Sequence, residues 1–93
     1  MIACEGNRCT VSGPITMRNV TALLAESAGK MTGDHVVVDL AGVEEVDSAA
    51  VSLLLEWRRE AAKANRRLEF ANVPANLSTL AELYGVSDLI AAR

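Results

Sequence analysis

The chain has 93 residues, 51% of them apolar, and a formal net charge of −3 with acidic and basic residues interspersed. This length fits one domain with one core, so we assign residues 1–93 to a single domain without a deep two-domain cleft. The chain lacks the basic face that nucleic acid binding requires, and its apolar runs are far shorter than the roughly 20 residues of a membrane-spanning helix. No leader pattern opens the sequence, so we expect a cytoplasmic protein.

The N-terminal segment has the pattern of a hairpin. Apolar and polar residues alternate across residues 2–11 on either side of Gly6-Asn7, which predicts a two-residue turn. This register places Cys4 opposite Cys9 on the apolar face. We interpret both as small buried residues, with a regulatory disulfide as the alternative, because cytosolic thiols normally stay reduced. The cysteine spacing predicts no zinc site, and the chain shows no motif for a cofactor.

A helix and a central strand follow the hairpin. Apolar residues at helical spacing, Met17 among them, predict a first helix over 17–28, with Thr16 as its cap and Gly29 as its end. The β-branched run at 35–40 predicts a strand in the centre of the sheet, covered on both faces.

The second half of the chain predicts a parallel crossover and a closing helix. A second helix over 48–64 leads into a strand over 67–71, which completes a βαβ unit. A third helix covers 74–84 and begins at Pro74. Leu89 and Ile90 follow as an apolar turn that folds back onto the core.

Signatures of catalysis are weak. No glycine-rich phosphate loop ends in Lys-Ser or Lys-Thr, and the single histidine, His35, reads as a solvated residue at the start of a strand. Glu44 and Glu45 are neighbours on a predicted extended loop, where adjacent side chains point in opposite directions. We therefore predict that the protein is not an enzyme.

Asp47 and Ser48 stand where the chain enters the second helix. Either side chain can accept hydrogen bonds from the first free N–H groups, and replacing such a cap by alanine costs about 0.5 to 2 kcal/mol. Capping alone accounts for both residues. The functional alternative is that Ser48 is a contact or phosphorylation site, because the positive end of a helix dipole tolerates a phosphate.

The second helix has more apolar surface than packing on one sheet requires. Its apolar arc is about twice the roughly 100° stripe of a helix that covers a sheet. Two interpretations remain open. Either the first and third helices bury the surplus, or residues 48–57 present small and apolar side chains to a partner.

The order of the elements and the Asp47-Ser48 junction resemble the STAS domain, the fold named for sulfate transporters and anti-sigma factor antagonists. Within it, the chain is most similar to the MlaB-like subunits of Mla-type ABC systems, which move phospholipids between bacterial membranes. The segments that carry this resemblance are Asp47-Ser48 followed by small residues and Leu53-Leu54-Leu55-Glu56-Trp57-Arg58, then Asn72-Val73-Pro74 with Leu77, then Leu80-Ala81-Glu82-Leu83-Tyr84-Gly85-Val86 before Leu89. The resemblance implies an α/β fold with a mixed four-stranded sheet, an N-terminal hairpin, a βαβ crossover and helices packed against the sheet.

The resemblance also implies a function. MlaB-like subunits bind the ATPase of the ABC transporter and, through it, associate with an inner-membrane permease. The partner-binding residues carried over to this chain are Asp47, Ser48, Ala49, Ala50, Leu53 and Trp57.

Anti-sigma factor antagonists are the alternative, with phosphorylation at Ser48. They typically carry Asp-Ser-Ser-Gly-Leu-Gly at this junction, whereas this chain has Ala49, Ala50 and Ser52 in place of the second serine and both glycines. A nucleotide or small-molecule sensor is the third possibility.

Overall fold

The computed structural model describes residues 1–90, which form one four-stranded sheet and a layer of helices. The elements in chain order are β1 (Ile2–Glu5), β2 (Arg8–Ile15), α1 (Val20–Ser27), β3 (His35–Val46), α2 (Ser48–Lys63), β4 (Arg67–Ala71), α3 (Ala75–Leu83) and α4 (Ser87–Ile90). The strand order is β1-β2-β3-β4, with β1 antiparallel to β2 and the other two pairs parallel. The predicted mixed sheet, N-terminal hairpin and parallel crossover are confirmed. The last three residues of the predicted domain lie outside the described range.

The hairpin has the predicted register. Glu5 pairs with Arg8 and Cys4 with Cys9, and Gly6 takes the positive φ of 62° that suits the first position of a tight hairpin turn. The two cysteines form a disulfide, with their Cα atoms 4.0 Å apart. The prediction of two reduced thiols is therefore wrong for this structure, because the pairing register sets the two side chains directly opposite each other.

Strand β3 is twice as long as predicted. It continues through Glu44 and Glu45, which the sequence predicted to lie in a loop, because its second half pairs with Gly13 and Ile15 of β2. The two strands approach closely at Gly42, where an added Cβ would lie 3.2 Å from the Ser12 Cβ. The pattern of residues 41–46 is not strand-like by itself, so this extension depends on a partner far away in the sequence.

The sheet is covered by helices on one face only. Val36, Val38 and Leu40 are buried, whereas the alternate residues Val37 and Asp39 are partly exposed. The prediction that this strand is covered on both faces is therefore wrong. A run of valines has the composition of a doubly covered strand, but only the arrangement of the helices decides which faces are covered.

Helix α2 lies in the middle of the helical layer, in contact with α1, α3 and α4. Its buried residues are Ala49, Ala50, Val51, Leu53, Leu54, Trp57 and Ala61. The Trp57 Nε1–H donates a hydrogen bond of 2.9 Å to the buried Ser27 Oγ, which joins α1 to α2 inside the core. The surplus apolar arc is thus buried within the chain, which is the first of the two interpretations that the sequence left open.

Helix α1 begins at Val20, three residues later than predicted. Thr16 to Asn19 form a turn instead, in which the Asn19 Oδ1 accepts a hydrogen bond from the Thr16 N–H at 2.8 Å. The Asn19 side-chain amide also donates to the Pro14 carbonyl at 2.7 Å. Met17 therefore lies outside the helix and is 75% exposed, not part of the apolar stripe.

The other helix ends lie close to their predicted positions. Helix α2 ends one residue earlier than predicted, and α3 begins after Pro74, which precedes the first turn instead of starting it. Gly85 has a φ of 72° and ends the α3 segment in the left-handed conformation. Ile90 is buried, as the predicted apolar turn required, but Leu89 is 43% exposed.

Candidate functional site

Three parallel strands end at the same side of the molecule. Strands β2, β3 and β4 end at Ile15, Val46 and Ala71, and after each of them the chain leads into a helix. Ile15 and Val46 are paired, so the turn before α1 and the start of α2 lie next to each other. In open α/β sheets the carboxyl ends of parallel strands are the usual place for a binding site.

Asp47 connects two of these helix starts. Its Oδ1 accepts a hydrogen bond from the Ala49 N–H at 2.8 Å, which confirms the predicted cap of α2. Its Oδ2 accepts a second hydrogen bond, from the Met17 N–H at 3.0 Å. One carboxylate therefore holds the turn before α1 against the first turn of α2.

Ser48 is the first residue of α2 and is exposed. Because Asp47 supplies the cap, the structure assigns the capping role to Asp47 and not to the Ser48 hydroxyl. This hydroxyl is accessible both to a partner and to a modifying enzyme, at a helix end where N–H groups favour negative charge.

The remaining predicted contact residues lie inside the core. Ala50 is 0% exposed, and Leu53 and Trp57 are each 2% exposed. Ala49 is also buried, at 9%. Side-chain contact of these four residues with a partner is contradicted by their burial, since α2 directs them towards the sheet and the neighbouring helices. Of the six predicted residues, the structure brings only Asp47 and Ser48 to the surface.

Met17 is the exposed residue at this site that the sequence pattern did not reveal. Its periodic spacing with Val20 and Leu23 suggested a buried position in a longer helix. Asn19 was the available signal, because asparagine is a preferred residue just before a helix. An assignment of the cap to Asn19 would have placed Met17 in the preceding turn.

We refer to Met17, Asp47 and Ser48 as the docking edge. Glu44 and Glu45 are exposed beside it on the last part of β3. The Asn76 side-chain amide donates a hydrogen bond of 2.8 Å to the Glu44 carbonyl, which fixes the start of α3 against the same strand. The docking edge thus combines an exposed methionine with a serine hydroxyl, and the acidic side chains of Glu44 and Glu45 lie beside it. Hydrogen bonds from Asp47 and Asn76 hold the backbone of this region in place.

The uncovered face of the sheet carries paired charges. Asp39 accepts hydrogen bonds from the Ala41 N–H at 2.9 Å, the Asn72 side-chain amide at 3.0 Å and the Arg8 guanidinium at 2.6 Å. These bonds, the one from the Ala41 N–H foremost, lower the pKa of Asp39 to about 2. The charge of Asp39 is therefore compensated by Arg8, and the hydrogen bonds of Asp39 tie β2, β3 and the residue after β4 together.

The structure does not bring His35 and Ser48 together. His35 begins β3 and Ser48 follows its end, so the two residues lie at opposite ends of a strand of 12 residues. The His35 Nε2 lies instead 3.3 Å from the Glu69 carboxylate. Across residues 1–90, no group of three or more His, Cys, Asp or Glu side chains is placed to hold a metal ion. Over the same described part of the chain, each helix is too short or too polar to cross a bilayer.

Comparisons with known proteins agree with this architecture. The intermembrane phospholipid transport system binding protein MlaB of Haemophilus influenzae is 37% identical over 62 residues, which are 64% of this chain and 59% of that protein. The match therefore spans less than two thirds of that relative.

Among solved structures, the unphosphorylated anti-sigma factor antagonist SpoIIAA matches 100% of this chain and 86% of its own, with a TM-score of 0.77. At 13% identity, this likeness shows a shared fold and does not show a shared function. A crystal structure of Mglu covers 83% of this chain and 20% of that chain, with a TM-score of 0.63 at 26% identity.

The family comparison covers almost the whole length. A family model described as "Mlab, STAS domain" matches residues 4–91, a span that includes most of the hairpin, the docking edge and all of the described helices. The chain belongs to the STAS domain family.

Proposed function

We propose that this chain is a non-catalytic accessory subunit of a Mla-type phospholipid transport system and that its docking edge binds the system's ATPase. The observation that carries the proposal is the bridge made by Asp47, which holds the exposed Met17 turn beside the exposed Ser48. The similarity to a phospholipid transport system binding protein supports the choice of system. The permease would be reached through the ATPase, and lipid need not touch this chain.

The chemistry of the docking edge suits protein recognition. Methionine is flexible and polarisable, so an exposed methionine adapts to an apolar pocket on a partner. The Ser48 hydroxyl is exposed at the first turn of α2, where it can both donate a hydrogen bond to a partner and accept one.

The test is copurification of the tagged chain with the ATPase of a Mla-type system from the same organism. We expect Met17→Glu and Ser48→Arg to reduce the recovered ATPase at least about tenfold, which corresponds to about 1.4 kcal/mol of binding free energy. Leu83→Glu is the matched control, because Leu83 is 74% exposed and Met17 is 75% exposed, and Leu83 lies at the far end of α3. Circular dichroism would verify that all three variants fold.

The control variant also defines the contradicting result. Equal recovery of the ATPase by Met17→Glu and Leu83→Glu would reject the docking edge. Ala50→Glu is not a useful variant, because this position is 0% exposed and a buried unpaired charge would disrupt the fold.

A second candidate function is that of an anti-sigma factor antagonist. It is favoured by the accessible Ser48 hydroxyl at a helix start, together with the fold shared with SpoIIAA. Incubation with ATP and a kinase-type anti-sigma factor, followed by mass spectrometry, tests it. Stoichiometric phosphate on Ser48 that abolishes binding would favour this candidate over the ATPase subunit.

A further inference from the structure

The two outer strands of the sheet, β1 and β4, differ in whether side chains block their free edges. On β1, the Ile2 N–H donates to the Glu26 carboxylate at 2.9 Å, and the Lys30 ammonium donates to the Ile2 carbonyl at 3.3 Å. Glu26 of α1 and Lys30, which follows that helix, thus occupy the outward-facing backbone groups of Ile2, which another strand would need at this point of the edge. An edge blocked in this way resists pairing with a further strand.

Strand β4 has an open edge near its start. The Arg67 N–H bonds to the Asp34 carbonyl at 2.7 Å, so Arg67 faces β3 and the backbone groups of Leu68 face away from the sheet. Within residues 1–90, no hydrogen bond to this side of Leu68 is present. This part of β4 is therefore available to pair with an extended segment.

A basic groove runs beside this open edge, between α2 and β4. Five of the nine basic residues of the chain lie between positions 58 and 67, although the net charge of the whole chain is −3. The residues that line the groove are Arg58, Ala61, Ala62, Arg66, Arg67, Leu68 and Glu69.

The arginines of the groove are incompletely neutralised. Arg67 lies 3.4 Å from the Glu69 carboxylate, but within the described range Arg58 and Arg66 form no ion pair with a carboxylate. Arg66 donates through its Nε to the Gly33 carbonyl at 2.9 Å, which leaves its two terminal nitrogens for other acceptors. The last turn of α2 already has Lys63 to offset the helix dipole, and Arg58 lies too far from the helix end to serve that purpose.

We propose that this groove is a second docking surface, which binds an extended acidic segment of a partner protein along the open edge of β4. Backbone pairing at Leu68 would orient the segment, and its carboxylates would pair with Arg58 and Arg66. Arginine forms paired hydrogen bonds with carboxylates, and addition of a strand to a sheet edge is a common mode of peptide recognition. The groove lies where β4 begins, at the end of the sheet opposite the docking edge, so this proposal does not depend on the ATPase contact.

The shape of the site favours a peptide over a membrane surface. Arg58 and Arg66 are both partly buried beside the groove. A linear chain can enter such a groove and reach both arginines. A flat lipid surface would contact the exposed charged side chains around the groove before it reached Arg58 and Arg66.

The experiment uses the full chain and a fluorescein-labelled octapeptide of alternating glutamate and threonine, with binding followed by fluorescence anisotropy. We expect the peptide to bind and Arg58→Glu to weaken its binding at least about tenfold. Arg18→Glu is the matched control, because it makes the same charge change on an exposed residue near the docking edge, and we expect less than a twofold effect. Hydrogen exchange of the Leu68 amide should slow when the peptide is bound.

Other results would overturn the proposal. No binding of the acidic peptide, or an equal loss in Arg58→Glu and Arg18→Glu, would exclude a specific groove. Binding of phosphatidylglycerol vesicles that depends on Arg58, without peptide binding, would assign the surface to lipid instead. Met17→Glu should leave peptide binding unchanged, because Met17 lies at the opposite end of the sheet from the groove. Peptide binding and ATPase recovery therefore test the two proposals separately, and either one can fail without the other.

Discussion

Replacement of Asp47 by alanine tests how the docking edge is held together. The substitution removes the acceptor for the Ala49 N–H, the cap of α2, and the acceptor for the Met17 N–H. Loss of a helix cap costs about 1 kcal/mol, and loss of a hydrogen bond to a charged group costs about 1.5 to 3 kcal/mol. The Met17 turn is open to water, which can satisfy its N–H in part, so we expect a total loss of about 2 kcal/mol.

Urea unfolding measures this loss directly. Trp57 is the single tryptophan and is 2% exposed in the core, so its fluorescence reports global unfolding. For a chain of this size, 2 kcal/mol corresponds to a fall in Tm of roughly 8 to 16 °C. Asp47→Asn should lose less, since the amide retains one acceptor oxygen.

Glu45→Ala is the control for the removal of a nearby negative charge. Glu45 is exposed, so its replacement should change stability by less than about 0.5 kcal/mol. If Asp47→Ala were as stable as Glu45→Ala, the Asp47 bridge would contribute nothing and the proposed link between the Met17 turn and α2 would be refuted. If the bridge is real, the folded Asp47→Ala variant should also recover less ATPase than the wild type, because the Met17 turn is no longer held beside Ser48.

Three further predictions concern the scaffold. Because the pKa of Asp39 falls to about 2 on folding, from 3.8, its stabilisation is present above pH 4 and is lost as the pH falls towards 2. Asp39→Asn should therefore reduce the acid-induced fall in unfolding free energy, by up to about 2 kcal/mol, and an unchanged pH profile would contradict this. Ser27→Ala should cost about 1 to 3 kcal/mol in a urea titration because it leaves the Trp57 N–H buried without an acceptor, and the loss should shrink in a Trp57→Phe background followed by circular dichroism. Reduction of the Cys4–Cys9 disulfide, which closes a loop with a sequence separation of 5, should cost about 2 kcal/mol, while a variant with both cysteines replaced by serine should not respond to the reductant.

Local patterns were sufficient for most of the secondary structure. The hairpin register followed from alternation around Gly6-Asn7, because the side-chain period of a strand leaves few pairings that keep one face apolar. Helix α2 and strand β4 followed from unbroken periodicity of 3.6 and of 2, respectively. The α2 cap was also predictable, since an acidic residue before a helical run has a local chemical role.

The positions that the sequence misassigned share one property, which is dependence on contacts between distant segments. Glu44 and Glu45 became strand residues only because β2 lies beside them. Met17 had the spacing of a buried helical residue, but the hydrogen bonds of Asn19 hold residues 16–19 in a turn, and the helix begins only after it. Trp57 was equally consistent with a free surface and with a covered one until the neighbouring helices were in place.

The sequence by itself determined the local elements, the pairing of the hairpin and the presence of a capped helix start after the central strand. These features depend on interactions within a few residues, which side-chain periodicity and capping chemistry record directly. Only the tertiary structure decided which apolar side chains remain accessible, which face of the sheet is left uncovered and that Met17 lies beside Ser48. Burial and proximity of this kind arise when separate elements pack together, and no short segment of the chain carries that information alone.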